Sequence, residues 1–296
     1  MLTVDPSKTS QLDMHQFLLG AVSPRPIAFV STVDKEGVVN LAPYSFFNAF
    51  SSNPPIVVFS SNRRGGEGTK KDTLRNIEQT QACVINVVSY SIVQQMAITS
   101  VEFAPSVSEF TKSGLTPLAS TQVAAPRVKE SPVQMECKVL QIIPLGTEGG
   151  AGNLIVCQVV VMHIDENVMT GNRIDPHKID LVGRMGRHWY SRARGEVFEL
   201  AQPYKPLVIG FDALPTSIRN SEVFTGNDLG KMSSLLALPS KEEVEKILKT
   251  NDIRLQKIRF SLNTTLELHR YAQEEVRKGE VLRGVKIAML ADFWKK

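Results

Sequence analysis

Two neighbouring stretches carry the side chains best suited to chemistry. The first, APYSFFNAFSSNPP (Ala42 to Pro55), sets Tyr44, Phe46, Phe47 and Phe50 beside Ser45, Asn48, Ser51 and Ser52. Four aromatics in an irregular segment would cost burial energy if left in water, so the composition predicts something flat and partly polar lying against them. The second, SNRRGGEGTKKDTLRN (Ser61 to Asn76), surrounds glycines with Arg63, Arg64, Lys70 and Lys71 and runs into a predicted helix. Backbone N–H groups at a helix start, flanked by cations, form a phosphate site. The alternative for this stretch is a solvated, mobile basic loop. It is not a Walker A loop, because GxxxxGK[ST] cannot be laid on these residues.

A third stretch, SPRPIAFVSTV, brings Ser and Thr into a hairpin just before the other two. Together the three match what flavin mononucleotide (FMN) requires. Its ring needs apolar walls and edge hydrogen bonds, its ribityl chain needs hydroxyl or amide partners, and its phosphate needs N–H groups and cations. Other chemistries find no support. His15, His163, His177, His188 and His269 lack metal-ligand spacing, so no metal is expected. His163, near a strand end, is placed either to meet a ligand such as a nicotinamide at a barrel rim or to be satisfied within the sheet. No GxSxG, HExxH or paired acid/base carboxylates are found, and no GxGxxG follows a strand.

These segments need a frame. At 296 residues and 42% hydrophobic content, the chain can bury a large core. A net charge of +4 is too small for a typical nucleic-acid binder and fits anionic small molecules better. No apolar run reaches the length of a membrane span, and MLTVDPSKTSQLD has no signal-peptide pattern. Cys83, Cys137 and Cys157 lie in apolar strand-like runs without a CxxC, as expected of reduced thiols in a cytoplasmic protein.

The hydrophobic pattern predicts strands at 26–33, 38–42, 54–60, 82–88, 133–143 and 153–164, a terminal hairpin over 188–200, and short helices at 72–80, 91–100 and 106–113. After about residue 200 the pattern turns helical, with helices over 240–258, opened by a Ser240/Glu243 capping box, and 263–279, stopped by Gly279. The expected fold class is therefore mainly β with α additions: an antiparallel barrel over 1–200 and a helical C-terminal extension over 201–296.

SPRPIAFVSTVDKEGVVNLAPYSFFNAFSSNPPIVVFS followed by KKDTLRNIEQTQACVINVV resembles the flavin reductase-like, FMN-binding split-barrel family, in its flavoredoxin-type branch. The resemblance covers about residues 15–200. It implies a six-stranded split barrel that forms a homodimer, with FMN near the subunit interface. Carried onto this sequence, Thr32 and the backbone of Ala42, Pro43, Tyr44 and Ser45 face the ring, and Ser45 and Asn48 reach its edge or the ribityl chain. Phe46 and Phe47 divide between ring and core. Ser60, Ser61, Lys71, Asp72 and Thr73 hold the phosphate, with Asp72 acting through its backbone or as a helix cap. Trp189 or Tyr190 either approaches the flavin or packs as an ordinary hairpin aromatic. Chemistry at the flavin N5 leaves no protein residue as the catalytic group. NADH or NADPH is the implied electron donor. The alternatives are a flavoredoxin-like carrier reduced by a redox-protein partner, and a split-barrel ligand-binding protein without turnover.

Overall fold

A computed structural model describes the chain except Glu67, Pro105, Glu196, 201–207 and 295–296. The chain divides into two compact units, Met1–Phe198 and Glu199–Lys296. The residues that open the extension expected from 201, namely 201–207, lie outside the described residues.

The first unit is built on one antiparallel sheet. Its strands are β1 (Ala28–Val33), β2 (Val39–Tyr44), β3 (Phe47–Ser52), β4 (Pro55–Ser60), β5 (Ala82–Val87), β8 (Val133–Pro144) and β9 (Asn153–Ile164). Between β5 and β8 lie β6 (Pro117–Leu118) and β7 (Arg127–Val128). After β9 come two small pairs, β10 (Met169–Thr170) with β11 (Arg173–Ile174), and β12 (Val182–Arg184) with β13 (Tyr190–Arg192). The order across the main sheet is β2-β1-β5-β8-β9-β4-β3.

That order dictates a barrel. β2 and β3 lie at opposite ends of the sheet, yet only Ser45 and Phe46 join them. Three Cα–Cα steps of ~3.8 Å span no more than ~11 Å. Six strand spacings of ~4.8 Å would separate the ends of a flat sheet by ~29 Å. The sheet therefore curls until its edges nearly meet, and the split falls at Ser45–Phe46.

Alternation along the strands sorts the core. Ala28 and Val30 of β1 face inward with Val57, Phe59, Cys83, Ile85, Met135, Cys137, Ile155 and Cys157. Phe29 and Leu41 face outward under α3 (Val93–Ile98) and α4 (Glu109–Ser113), where they meet Met96 and Phe110. Helix α2 (Asp72–Thr80) sends Leu74 and Ile77 into the barrel core. Helix α1 (Gln11–Ala21), which the sequence pattern did not predict, is opened by the Ser10 hydroxyl accepting from Asp13 N–H at 3.1 Å.

Three local expectations are corrected. The segment expected to be irregular around 42–50 is the end of β2, a two-residue link and β3, so the sheet gains a seventh strand. The hairpin expected over 188–200 does not close on itself. β13 pairs back onto β12, with Gly183 opposite Ser191, and Glu196 lies outside the described residues. In the second unit the helix expected over 240–258 is broken into α7 (Lys241–Lys246), a 3-10 turn and α8 (Ile253–Ile258). Asp252 interrupts it by accepting from Arg254 and Leu255 N–H, which starts a new helix.

The second unit also contains α5 (Thr216–Arg219), α6 (Gly226–Ser233), α9 (Thr264–Arg277) and α10 (Val281–Phe293). It has its own core, including Ile218, Met232, Leu268, Ala272, Val285 and Leu290. Close packing of α9 on α10 uses Gly284, where a Cβ would come within 2.9 Å of the Ala272 carbonyl. No helix among the described residues is long and apolar enough to cross a membrane.

Candidate functional site

The pairing of β1 with β2 puts Tyr44 opposite Ala28 and Pro43 opposite Phe29, at the barrel's split. The Tyr44 ring enters the core, 5.2 Å between centroids from Phe59. Phe46 turns out of the core and meets the edge of His15 from α1, while its neighbour Phe47 packs against the barrel interior. The two adjacent rings thus divide between cleft and core, because consecutive side chains point opposite ways.

Across from them, the core contacts of Leu74 and Ile77 fix the start of α2 at the rim. Lys71 is its N-cap, and no side chain caps the helix. The basic loop before it is docked rather than free. Arg63 N–H donates to Ala151 O at 2.9 Å, Gly150 N–H to Arg63 O at 3.2 Å, and Asn62 Nδ2 to Gly150 O at 3.1 Å. This approach of two loops requires glycine: a Cβ on Gly149 would lie 2.3 Å from Gly65 O, and one on Gly152 2.7 Å from Ser60 Oγ. The solvated-loop alternative does not describe the segments pinned this way.

The resulting cleft has a volume of about 420 Å³, within the usual ~300–1,000 Å³ of small-molecule sites. Pro43, Tyr44, Ser45, Phe46, Ser60 and Lys71 all line it. Two smaller hollows of about 200 Å³ adjoin it through Pro43. One takes in Ala42, Lys71, Asp72 and Thr73, and the other Ser45, Arg184 and Tyr190.

Its polar groups are incompletely paired. The Tyr44 hydroxyl is buried near Thr73 and Ser61, yet among the described residues Tyr44 Oη, Ser61 Oγ and Arg63 Nε have no hydrogen-bond partner; Ser61 itself lines neither the cleft nor its two adjoining hollows. Burial pushes the Tyr44 phenol above its ordinary value. Lys71 forms no ion pair with a described carboxylate. Burial, then the neighbouring Arg64 guanidinium, holds its ammonium below the usual lysine value. Five cationic side chains line the cleft, Arg25, Arg63, Arg64, Lys71 and Arg184, with no Asp or Glu among the described residues of its walls, although Arg64 is ion-paired with Glu102 and Asp72. Buried donors without acceptors cost free energy unless a ligand satisfies them, so this donor set suits an anion such as a phosphate.

Several predicted site residues lie elsewhere. Thr32 is fully buried and lines neither the cleft nor its two hollows; its hydroxyl accepts from Asn76 Nδ2 at 3.1 Å, tying β1 to α2. Asn48 is exposed on β3, where its Oδ1 accepts from Ala49 N–H. His163 lines a different hollow of about 810 Å³ that shares no wall with the cleft, and its Nε2 lies 2.7 Å from Glu136 Oε1. The nicotinamide role considered for His163 therefore has no geometric support. Asp72 does not cap α2 with its side chain, because its carboxylate faces Arg75 and Arg64. Trp189 is 74% exposed, whereas Tyr190 lines a hollow beside the cleft. Among the described residues no group of His, Cys, Asp and Glu is arranged to hold a metal ion.

Sequence reasoning missed His15, Arg25, Asn62 and Arg184. Arg25 and Arg184 stand within SPRP and GRMGRHWYSR, whose hydroxyls and aromatics drew attention first. His15 arrives on α1, whose apolar residues are mostly exposed and gave no periodic signal.

Comparison with known proteins agrees with the fold. A protein of Aquifex aeolicus is 38% identical over 184 residues, covering 62% of this chain and 91% of that one. Nitrilotriacetate monooxygenase component B from Bacillus cereus superposes with a TM-score of 0.64 at 36% identity, over 68% of this chain and 98% of that one. The 2-nitrobenzoate 2-nitroreductase of Pseudomonas fluorescens does so with a TM-score of 0.62 at 27% identity, over 70% and 99%. Residues 20–176 match the flavin reductase like domain, and the chain belongs to that family of flavin-related oxidoreductases with the split-barrel fold.

Proposed function

We propose that the cleft binds FMN and that the chain passes electrons from NADH or NADPH through it to a flavin or another small acceptor. The observation that carries this reading is that Lys71, the N-cap residue of helix α2, which no side chain caps, shares the cleft with Tyr44 and Arg63, whose buried Oη and Nε have no partner among the described residues. Lys71, Ser61, Arg63 and the first N–H groups of α2 would hold the phosphate, and Pro43, Ser45 and Phe46 would face the ring. When bound, FMN supplies two-electron chemistry at its N5, while the protein contributes orientation, charge and exclusion of water. The redox names of the two similar solved proteins, a monooxygenase component and a nitroreductase, support an oxidoreductase role.

The active form in this reading is a homodimer. Among the described residues β3 pairs only with β4, and its residues from Asn48 to Ser52 are exposed, Phe50 to 68%. A second copy seated there would cover both this strand and the neighbouring mouth of the cleft. Sedimentation of FMN-loaded protein as a monomer would remove that part of the proposal.

Anaerobic stopped-flow mixing tests the function itself. FMN-loaded protein should lose its flavin absorbance on mixing with NADH or NADPH. Tight FMN binding without bleaching by either nucleotide would replace the nicotinamide donor with a protein one. Failure to take up FMN would overturn the cofactor assignment.

A further inference from the structure

The positive charge in the cleft exceeds what one phosphate needs, and it is not all in one place. Lys71 and Arg64 border the hollow at the start of α2, where Glu102 and Asp72 pair with Arg64 and leave Lys71 as the cation without a described carboxylate partner, whereas Arg184 borders the separate hollow lined by Tyr190. The two groups meet only across the main cleft. Arg25 and Arg184 are joined through the backbone, each N–H donating to the other's carbonyl at 2.8–2.9 Å. Neither has a carboxylate partner among the described residues.

Their roles differ. Arg25 is 4% exposed, and its guanidinium donates to Leu19 O, Val22 O and Met185 O. Those carbonyls fix the end of α1 and the loop after β12, but they leave the charge uncompensated. Arg184 is half-buried, stacks 4.6 Å from the centroid of the Tyr190 ring and donates to Tyr190 Oη and Arg187 O. Three of its five N–H groups remain uncommitted in these bonds. The side chain is thus held in one place with donors to spare, close to Pro43 and Ser45.

We infer that Arg184 forms a second anion subsite, on the ring side of the cleft, which binds a carboxylate or phosphate of the molecule exchanging electrons with the flavin. A preset guanidinium recognises either oxyanion through paired hydrogen bonds. The subsite's place on the ring side rests on the proposed FMN site, whose phosphate occupies the Lys71 side. The substrate class is an anionic redox partner. The anion belongs either to the nicotinamide dinucleotide that donates electrons or to a carboxylate-bearing acceptor.

The test compares wild type, Arg184→Gln and Arg184→Lys, with FMN affinity measured first; a loss of FMN binding in Arg184→Gln as large as in Lys71→Ala, with riboflavin binding retained, would place Arg184 at the FMN phosphate and overturn the second subsite. Benzoate and its neutral isostere benzamide are titrated calorimetrically into FMN-loaded protein, and flavin bleaching is followed against NADPH concentration. A charge-assisted contact predicts that benzoate binds about tenfold more tightly than benzamide, or that NADPH half-saturation rises about tenfold in Arg184→Gln. Arg184→Lys should restore part of either effect, which a folding defect would not allow. Loss of the benzoate preference identifies a carboxylate source, and a change confined to NADPH identifies the dinucleotide. If benzoate and benzamide bind alike and NADPH saturation is unaltered, the inference is overturned. Should the chain bind no FMN, the cofactor reading fails separately. The benzoate-to-benzamide ratio in flavin-free wild type and Arg184→Gln then decides the anion site alone.

Discussion

The Lys71 ammonium stands 5.3 Å from the centroid of the Tyr44 ring, at the point where β2 leaves the sheet and α2 begins. This ring offers a cation only a weak neutral partner, while burial and Arg64 already disfavour the charge. A phosphate between Lys71, Ser61 and the helix start would supply the missing countercharge.

Replacing Lys71 with Ala should therefore remove one charge-assisted bond, worth roughly 1.5–3 kcal/mol. FMN affinity should fall about ten- to a hundredfold, measured by fluorescence titration. Riboflavin, which lacks the phosphate, should bind the variant and wild type alike. Equal FMN affinity in the two proteins, or parallel loss of riboflavin, would remove Lys71 from the phosphate site.

Tyr44→Phe separates ligand binding from stability. The hydroxyl is buried and has no partner among the described residues, so its removal should leave the flavin-free protein as stable or stabilise it by about 1 kcal/mol. If that hydroxyl donates to FMN, affinity should drop by about three- to tenfold. Thermal melts with and without FMN read both quantities. A flavin-free protein destabilised by several kcal/mol would mean that Tyr44 Oη is satisfied within the fold.

How much of this was legible in sequence depends on the range of the signal. β9 was read over its full length, 153–164, because twelve strand-forming residues follow a glycine-rich turn. The start of α2 at Asp72 was legible because a helix start is a local event. Thr32 was misplaced because its alternation places it on a buried strand face, and only the fold shows that Asn76 takes its hydroxyl. Arg184 could not be read at all. Its value lies in a backbone bridge to Arg25, some 160 residues earlier in the chain, and no local pattern encodes that pairing. α10 was likewise missed, since it is apolar on several sides and lacks a side-chain cap.

Thiol chemistry is not expected to contribute. Cys83, Cys137 and Cys157 are fully buried in the barrel core, with Cys83 Sγ 3.9 Å from Cys157 Sγ, and none lines the cleft. Replacing all three with Ala should preserve the rate of flavin reduction and cost about 1 kcal/mol of stability per site through lost packing. A folded, FMN-loaded triple variant that no longer accepts electrons would show a thiol relay.

The last prediction concerns acid stability and lies away from the cleft. Glu136 is fully buried on β8, and its carboxylate accepts from the N–H groups of Thr121, Gln122 and Val123, from Thr121 Oγ1, and faces His163 Nε2. Burial alone would raise its pKa, but the bonds from Thr121, His163 and Gln122 outweigh that and bring it down to about 2. A carboxyl held below its unfolded value stabilises the fold fully above about pH 4.5, and loses that contribution as the pH falls toward 2. The shift corresponds to on the order of 3 kcal/mol. Glu136→Gln should thus be less stable than wild type by a few kcal/mol at pH 7, since an amide cannot accept from every donor around it. The gap should narrow steadily between pH 4.5 and pH 2, as read by urea melts. His163, the titratable group in contact, is controlled by repeating the series with His163→Gln in both backgrounds. A gap that stays constant across this range would show that Glu136 is not held ionised by its cage.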